Sequence, residues 1–219
     1  MSESATLRAE RPAIVGEESG PQPPFPRRME GVVERGFDTI SGVYFGWASL
    51  RLPSSNPDHS SPAQIPQHQL ERLAKKSKFS PSDLATPPPT SSNWRVYPMV
   101  MSIGYNPFFA NKERSAEVYI MNDFKEDFYG EYMRVSIAGY IRKELNYIDQ
   151  ESLINDINTD VDVALASLGR KNWGVGNDGE WLSGKGWTPE LAKAAASKVA
   201  DRAAEKAQAD EAEAEKSTV

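Results

Sequence analysis

The chain has no cysteine and only two histidines in its 219 residues. Without cysteine there are no disulfides, no thiolate metal sites and no thiol nucleophile. His59 and His68 both fall in a stretch rich in Pro, Ser, Gln and Asn, which sets aside a Ser-His-Asp mechanism and a multi-histidine zinc site. Any proton transfer must fall to a carboxylate, a lysine or a tyrosine. Apolar residues are scarce too, at 39% against the roughly 45–50% of a typical soluble domain, so part of the chain should lie outside a core. No run approaches the about 18 apolar residues of a membrane span. The start, MSESATLRAERPAIVGEESG, with Glu3, Glu10, Glu17 and Glu18, has no stretch of signal-peptide character. Positive charge is also in deficit: 25 Lys and Arg against 31 Asp and Glu give a net charge of -6, which offers no electrostatic footprint for nucleic acid or anionic lipid. A cytoplasmic, monomeric protein is expected.

What is present falls into blocks. Residues 1–26 hold five prolines and read as a disordered lead-in. Residues 51–94 hold eight of the sixteen prolines, with one short helical patch, QHQLERLAKKSKF, and read as a surface excursion between two strands. Around these stretches runs the period-two alternation of strands. It is seen in 29–37 (MEGVVERGF), 42–50 (GVYFGWASL), 96–105 (VYPMVMSIGY), 115–122 (SAEVYIMN) and 133–142 (MRVSIAGYIR). Five strands with no helices between them predict an antiparallel sheet closing on itself to hide its edges. From Asp149, a suitable N-cap, a helical stripe of Leu153, Ile154, Ile157, Val161, Ala164, Leu165 and Leu168 runs to Gly169. The expected fold is therefore mainly β, a small antiparallel barrel over 27–170 with one C-terminal helix packed on it. Residues 171–219 read as a Trp/Gly-rich linker (173–187) and a charged, Ala-rich, partly helical tail opening at Thr188-Pro189.

Few motifs carry chemistry. Gly174-Val-Gly176-Asn-Asp-Gly179 matches the dinucleotide pattern, but a helix precedes it where a strand is required, so the match is a coincidence. Glu117 alternates with Ala116, Val118 and Ile120; its placement fits a solvated strand carboxylate, or a proton acceptor for a substrate hydroxyl if that face lines a cleft. Phe124 and Asp127-Phe128-Tyr129-Gly130 put aromatics and charge into a connection between two strands. They can anchor a lid or fold back on the core. Arg142 and Asn146, in GYIRKELNY, can bind an anion or a polar ring edge, or be a surface arginine and a capping asparagine.

Taken together, SGVYFGWASL (41–50), VYPMVMSIGYNPFF (96–109), RSAEVYIMNDFKEDFYGE (114–131), MRVSIAGYIRKELNY (133–147) and SLINDINTDVDVALASL (152–168) resemble the eukaryotic riboflavin kinases. The resemblance implies a six-stranded antiparallel barrel with a C-terminal helix, and transfer of the terminal phosphate of ATP to the 5′-hydroxyl of riboflavin, giving FMN and ADP. It places the general base on Glu117. It puts Gly36, Asp127, Phe128 and Tyr129 beside the nucleotide, and Arg142 and Asn146 in a second flap near the flavin and the phosphates. Mg²⁺ would come with ATP, with Zn²⁺ as the alternative metal.

The chain also departs from that pattern. Members of the family carry a Gly-x-Pro-Thr-Ala-Asn segment after the first strand, whose Thr and Asn help to bind metal and phosphates. Here Glu34-Arg35-Gly36-Phe37-Asp38-Thr39-Ile40-Ser41-Gly42 runs directly into the next strand, as an internal deletion would leave it, so no metal ligand is assigned. A barrel short of one strand should be open or marginal, and phosphoryl transfer without those ligands should be slow, leaving a flavin- or nucleotide-binding protein as the alternative. Lys143 stands where the family usually has proline.

Overall fold

The computed structural model describes residues 7–12, 28–32, 40–76, 80, 84, 93–105, 115–128, 130–190 and 197, the first two stretches as backbone. Residues 1–185 and 186–219 form two separate compact units.

Three long strands and a shorter one build the middle of the sheet in the first unit: β3 (Gly42–Arg51), β4 (Trp94–Gly104) and β6 (Tyr132–Arg142), with β5 (Ser115–Ile120). They pair antiparallel in the order β6-β3-β4-β5, and two short strands, β1 (Leu7–Pro12) and β2 (Arg28–Val32), extend the sheet beside β6 and β5. β1 thus lies inside the stretch read as a lead-in. Its local sequence is too polar to announce a strand; its partner is the free edge of β6.

Aromatic and β-branched residues favour the pleated conformation, and β3 carries Val43, Tyr44, Phe45 and Trp47. Alternation then sends its side chains to two different cores. Tyr44, Ala48 and Leu50 join Tyr97, Met99, Met101, Ile103, Val118, Ile120, Val135 and Ile137, so the sheet wraps one apolar face around itself. Val43, Phe45 and Trp47 point the other way, with Val96 and Val100, toward the helical side. Gly46 marks a register shift against β6, where a Cβ would lie 2.0 Å from the Ser136 carbonyl oxygen. The two backbones approach closely only because that atom is missing.

The wrapping stops short of closure, which corrects the expected barrel. Among the described residues β1 and β2 each pair on one side only, so the sheet stays open. A barrel needs both edges to find a partner, and the sequence that would follow β2 in the resembled pattern is absent.

Helix α2 (Gln150–Leu168) covers the second face. The Asp149 carboxylate accepts from the Ser152 amide at 2.7 Å, and the Gly169 N–H reaches the Leu165 carbonyl, the two caps anticipated from sequence. Val161, Ala164, Leu165 and Leu168 are buried, whereas Ile154 at the other end of the stripe is exposed. The 51–94 excursion is closed at its neck by Leu52 N–H to the Asn93 carbonyl, 2.8 Å. Its helix α1 (Gln67–Lys76) docks on α2, where Asp162 receives both Arg72 and Lys76 at 2.8 Å.

Residues 170–185, read mostly as linker, pack with the sheet. Leu182 and Val175 enter the second core, the indole of Trp47 donates to the Trp173 carbonyl at 3.0 Å, and Ser136 donates to Asp178 at 2.8 Å. The buried Arg134 guanidinium lies between Trp94 and Trp181, 4.6 and 5.1 Å from their ring centres, and donates to the carbonyls of Trp181 and Lys185. Gly184, at φ +102, presses against the Trp94 ring where no Cβ fits. In the second unit Pro189, Glu190 and Ser197 are helical.

Candidate functional site

Antiparallel pairing sets the geometry of the sequence-predicted residues. β3 and β5 begin, and β4 and β6 end, at one edge of the sheet, here called the near end; the opposite termini form the far end. At the near end one cross-strand row runs Glu117 (β5), Ser102 (β4), Val43 (β3), Arg142 (β6), with Glu30 of β2 beyond Glu117. Residues paired across strands share a face. Glu117 therefore lies on the helical side with Tyr119, opposite Val118 and Ile120, and is half-buried. At about 4.8 Å per strand, roughly 14 Å of sheet separates Glu117 from Arg142 along the row.

The Arg142 guanidinium is heavily engaged. Its Nε and one terminal nitrogen fork onto Asp160 at 2.9 and 2.7 Å, the same nitrogen donates to the Tyr147 hydroxyl at 2.8 Å, and the other donates to the Lys143 carbonyl at 3.1 Å. Tyr147 in turn donates to Asp156 at 2.9 Å. Burial works against charge on Arg142, but the hydrogen bonds and charge of Asp160 outweigh it and hold the guanidinium above its ordinary range. Burial pushes the Asp160 carboxyl up, with Arg142 pulling it back. The pair is kept despite a desolvation cost, which suits a role in fixing α2 to the end of β6.

From Arg142 the chain turns back over the row. Glu144 accepts from the Ser102 hydroxyl at 2.8 Å and fills the space over Gly104. Asn146 lies exposed in the same loop.

Asp127 and Phe128 are elsewhere, at the far end, in the connection between β5 and β6. Phe128 is buried in the first core, its ring 4.5 Å from Phe124, which packs 5.2 Å from Tyr97. Of the two readings open for these aromatics, folding back on the core is the one Phe128 follows; Asp127 is exposed. Gly36 and Tyr129 lie outside the described residues. The structure thus brings Glu117 and the Arg142 loop to one end and one face, and keeps Asp127 and Phe128 at the other end.

Ser102, Glu144, Asp160 and Tyr147 were not singled out from sequence. For Asp160 a signal existed: an acidic residue one position before Val161, on a helix flank that packs, needs a cation, and Arg142 was the cation in view. Among the described residues no group of three or more His, Asp or Glu is placed to hold a metal ion, and no helix is long and apolar enough to cross a membrane.

Comparison with known proteins decides the family. The family model described as Flavokinase, riboflavin kinase, matches residues 23–168. The chain belongs to the riboflavin kinase family. It is 45% identical over 188 residues to the riboflavin kinase of Pyricularia oryzae, covering 74% of this chain and 81% of that protein. It is 36% identical over 234 residues to that of Neurospora crassa, covering 78% and 96%. Those 234 aligned positions exceed the whole 219-residue chain, so the Neurospora riboflavin kinase carries residues that have no counterpart here. The fold is similar to a crystal structure of riboflavin kinase from Trypanosoma brucei, with TM-score 0.51, 16% identity, and coverage of 86% of this chain and 96% of that one.

Proposed function

We propose that the chain is a riboflavin kinase in activity as well as by family. It would transfer the γ-phosphoryl group of ATP to the riboflavin 5′-hydroxyl, giving FMN and ADP, with Glu117 as general base. The observation that carries this reading is the near-end row. A half-buried carboxylate shares a face with the Arg142 loop, across a span that a small molecule can bridge.

Phosphoryl transfer through a loose transition state asks little covalent chemistry of the protein. It asks for two substrates held in line and for charge stabilisation. Glu117 would accept the hydroxyl proton as the new O–P bond forms, and no histidine is required. Magnesium enters with ATP as part of the substrate. Arg142 and Asn146 would border the flavin and the phosphates, and Gly36, Asp127 and Tyr129 the nucleotide. Phe128 would contribute through the core that shapes the β5–β6 connection.

The test is FMN formation by the purified full chain from riboflavin and MgATP, resolved by chromatography. Glu117→Gln is expected to lower kcat by about 10²- to 10⁴-fold, with riboflavin binding, followed by flavin fluorescence quenching, retained. Equal rates for the two proteins would overturn the assignment of Glu117.

A second reading, a protein that binds flavin or nucleotide without turning it over, is favoured by one observation. The sequence from Glu34 to Gly42 holds no Pro-Thr-Ala-Asn to cradle metal and phosphates. Quenching without FMN formation by the wild-type chain would select it.

A further inference from the structure

We propose that Ser61 is a phosphorylation site for a proline-directed protein kinase, and that its phosphate closes onto Lys125, fastening the 51–94 excursion to the β5–β6 connection. The sequence contains four Ser/Thr-Pro dipeptides: Ser61-Pro62, Ser80-Pro81, Thr86-Pro87 and Thr188-Pro189. The dipeptide alone is a weak signal. The surroundings of Ser61 strengthen it.

Ser61 is half-exposed at a bend, and residues 62–66 after it are neither helix nor strand. A following proline biases the serine toward the extended backbone that a kinase cleft accepts. The hydroxyl donates to the Pro57 carbonyl at 3.2 Å and accepts from the Lys125 ammonium at 3.4 Å, both contacts at the surface.

The two segments are already aligned by shorter bonds. The Lys125 amide donates to the buried Asp58 carboxylate at 2.9 Å, the Asp123 amide to the Gln64 carbonyl at 2.9 Å, and the Gln64 amide to the Asn122 side chain at 2.7 Å. The Ser61–Lys125 contact is the longest member of this lacing, and only its lysine side carries charge.

A phosphate at Ser61 Oγ would bring a charge of about -1.5 to -2 and three acceptor oxygens to an ammonium already within reach. In the transfer, a bond forms between Ser61 Oγ and the γ-phosphorus of ATP. The bond from that phosphorus to the β,γ-bridging oxygen breaks, ADP departs, and the hydroxyl proton passes to the kinase's catalytic aspartate. Asp58, Asp123, Glu126 and Asp127 are the acidic groups nearby in sequence on the two segments. They repel a phosphate, so the sign of its effect depends on Lys125: tightening with the lysine, loosening without it.

The experiment treats the full chain with MgATP and a cyclin-dependent or mitogen-activated kinase, maps the phosphate by mass spectrometry, and follows amide exchange over residues 121–128. The expected result is phosphate on Ser61, absent in Pro62→Ala, with exchange slowed about two- to fivefold in the wild type and unslowed or faster in Lys125→Gln. Circular dichroism of each variant checks that it is folded. Phosphate confined to other sites, or phosphate on Ser61 with exchange unchanged or equally slowed in Lys125→Gln, would overturn the proposal.

Discussion

The two ends of the sheet are built on opposite terms. At the far end, Trp94 and Trp181 enclose Arg134, and 170–185 hands its carbonyls to that guanidinium. Phe124 and Phe128 cap the first core there, and 58–64 is laced to 122–125. At the near end Ile40, Tyr105 and Leu145 are more than half exposed, and Ile148 is fully so. Polar contacts, Arg142 with Asp160 and Glu144 with Ser102, do the holding. A base secured by aromatic packing leaves the other end free to keep apolar and charged groups at the surface, the condition for meeting small amphipathic molecules.

Substitutions at the two ends sharpen this contrast. Trp94→Ala at the far end should cost about 3–5 kcal/mol, seen as a large drop in the denaturant midpoint. Tyr140→Ala, at the near end, removes an edge-to-face contact with Tyr44 (centroids 5.2 Å apart) from a half-exposed ring, and should cost about 1 kcal/mol. Equal losses for the two would erase the distinction. Acid gives a smaller and local effect. Hydrogen bonds from Ser152, first from its amide, hold the Asp149 carboxyl below its usual range. A depressed folded-state pKa means that the cap's contribution is present above the unfolded value, about 3.9, and is lost as pH falls through the lowered one. Exchange at the Ser152 amide should therefore accelerate before that of Leu165. Last, Tyr97→Phe should leave the melting temperature unchanged or slightly raised. Among the described residues the Tyr97 hydroxyl is buried without a hydrogen-bond partner, and removing an unsatisfied group forfeits no bond.

Much of the scaffold was legible because its signals are local. Alternation in 42–50 and 133–142 reports a strand whatever surrounds it, and Asp149 and Gly169 announce helix ends by their own chemistry. What escaped depends on distant partners. Nothing around Trp181 or Leu182 is periodic; that segment is held by Arg134, more than forty positions earlier. Phe128 and Glu117 are both half of an ambiguous pattern. Only three-dimensional neighbours assign the phenylalanine to the core and the glutamate to the face it shares with Arg142. The open edges could be anticipated from the sequence that is missing after Gly36, yet the pattern of the remaining strands pointed to closure.

The heavily engaged guanidinium of Arg142 has one more consequence. Of its five N–H groups, four are spent on Asp160, Tyr147 and Lys143, so an incoming oxyanion meets a single vacancy and not a two-pronged clamp. To grip with both prongs, the arginine must first let go of Asp160 and with it one tether of α2. Tight capture of an anion at this corner is thereby coupled to the seating of the helix.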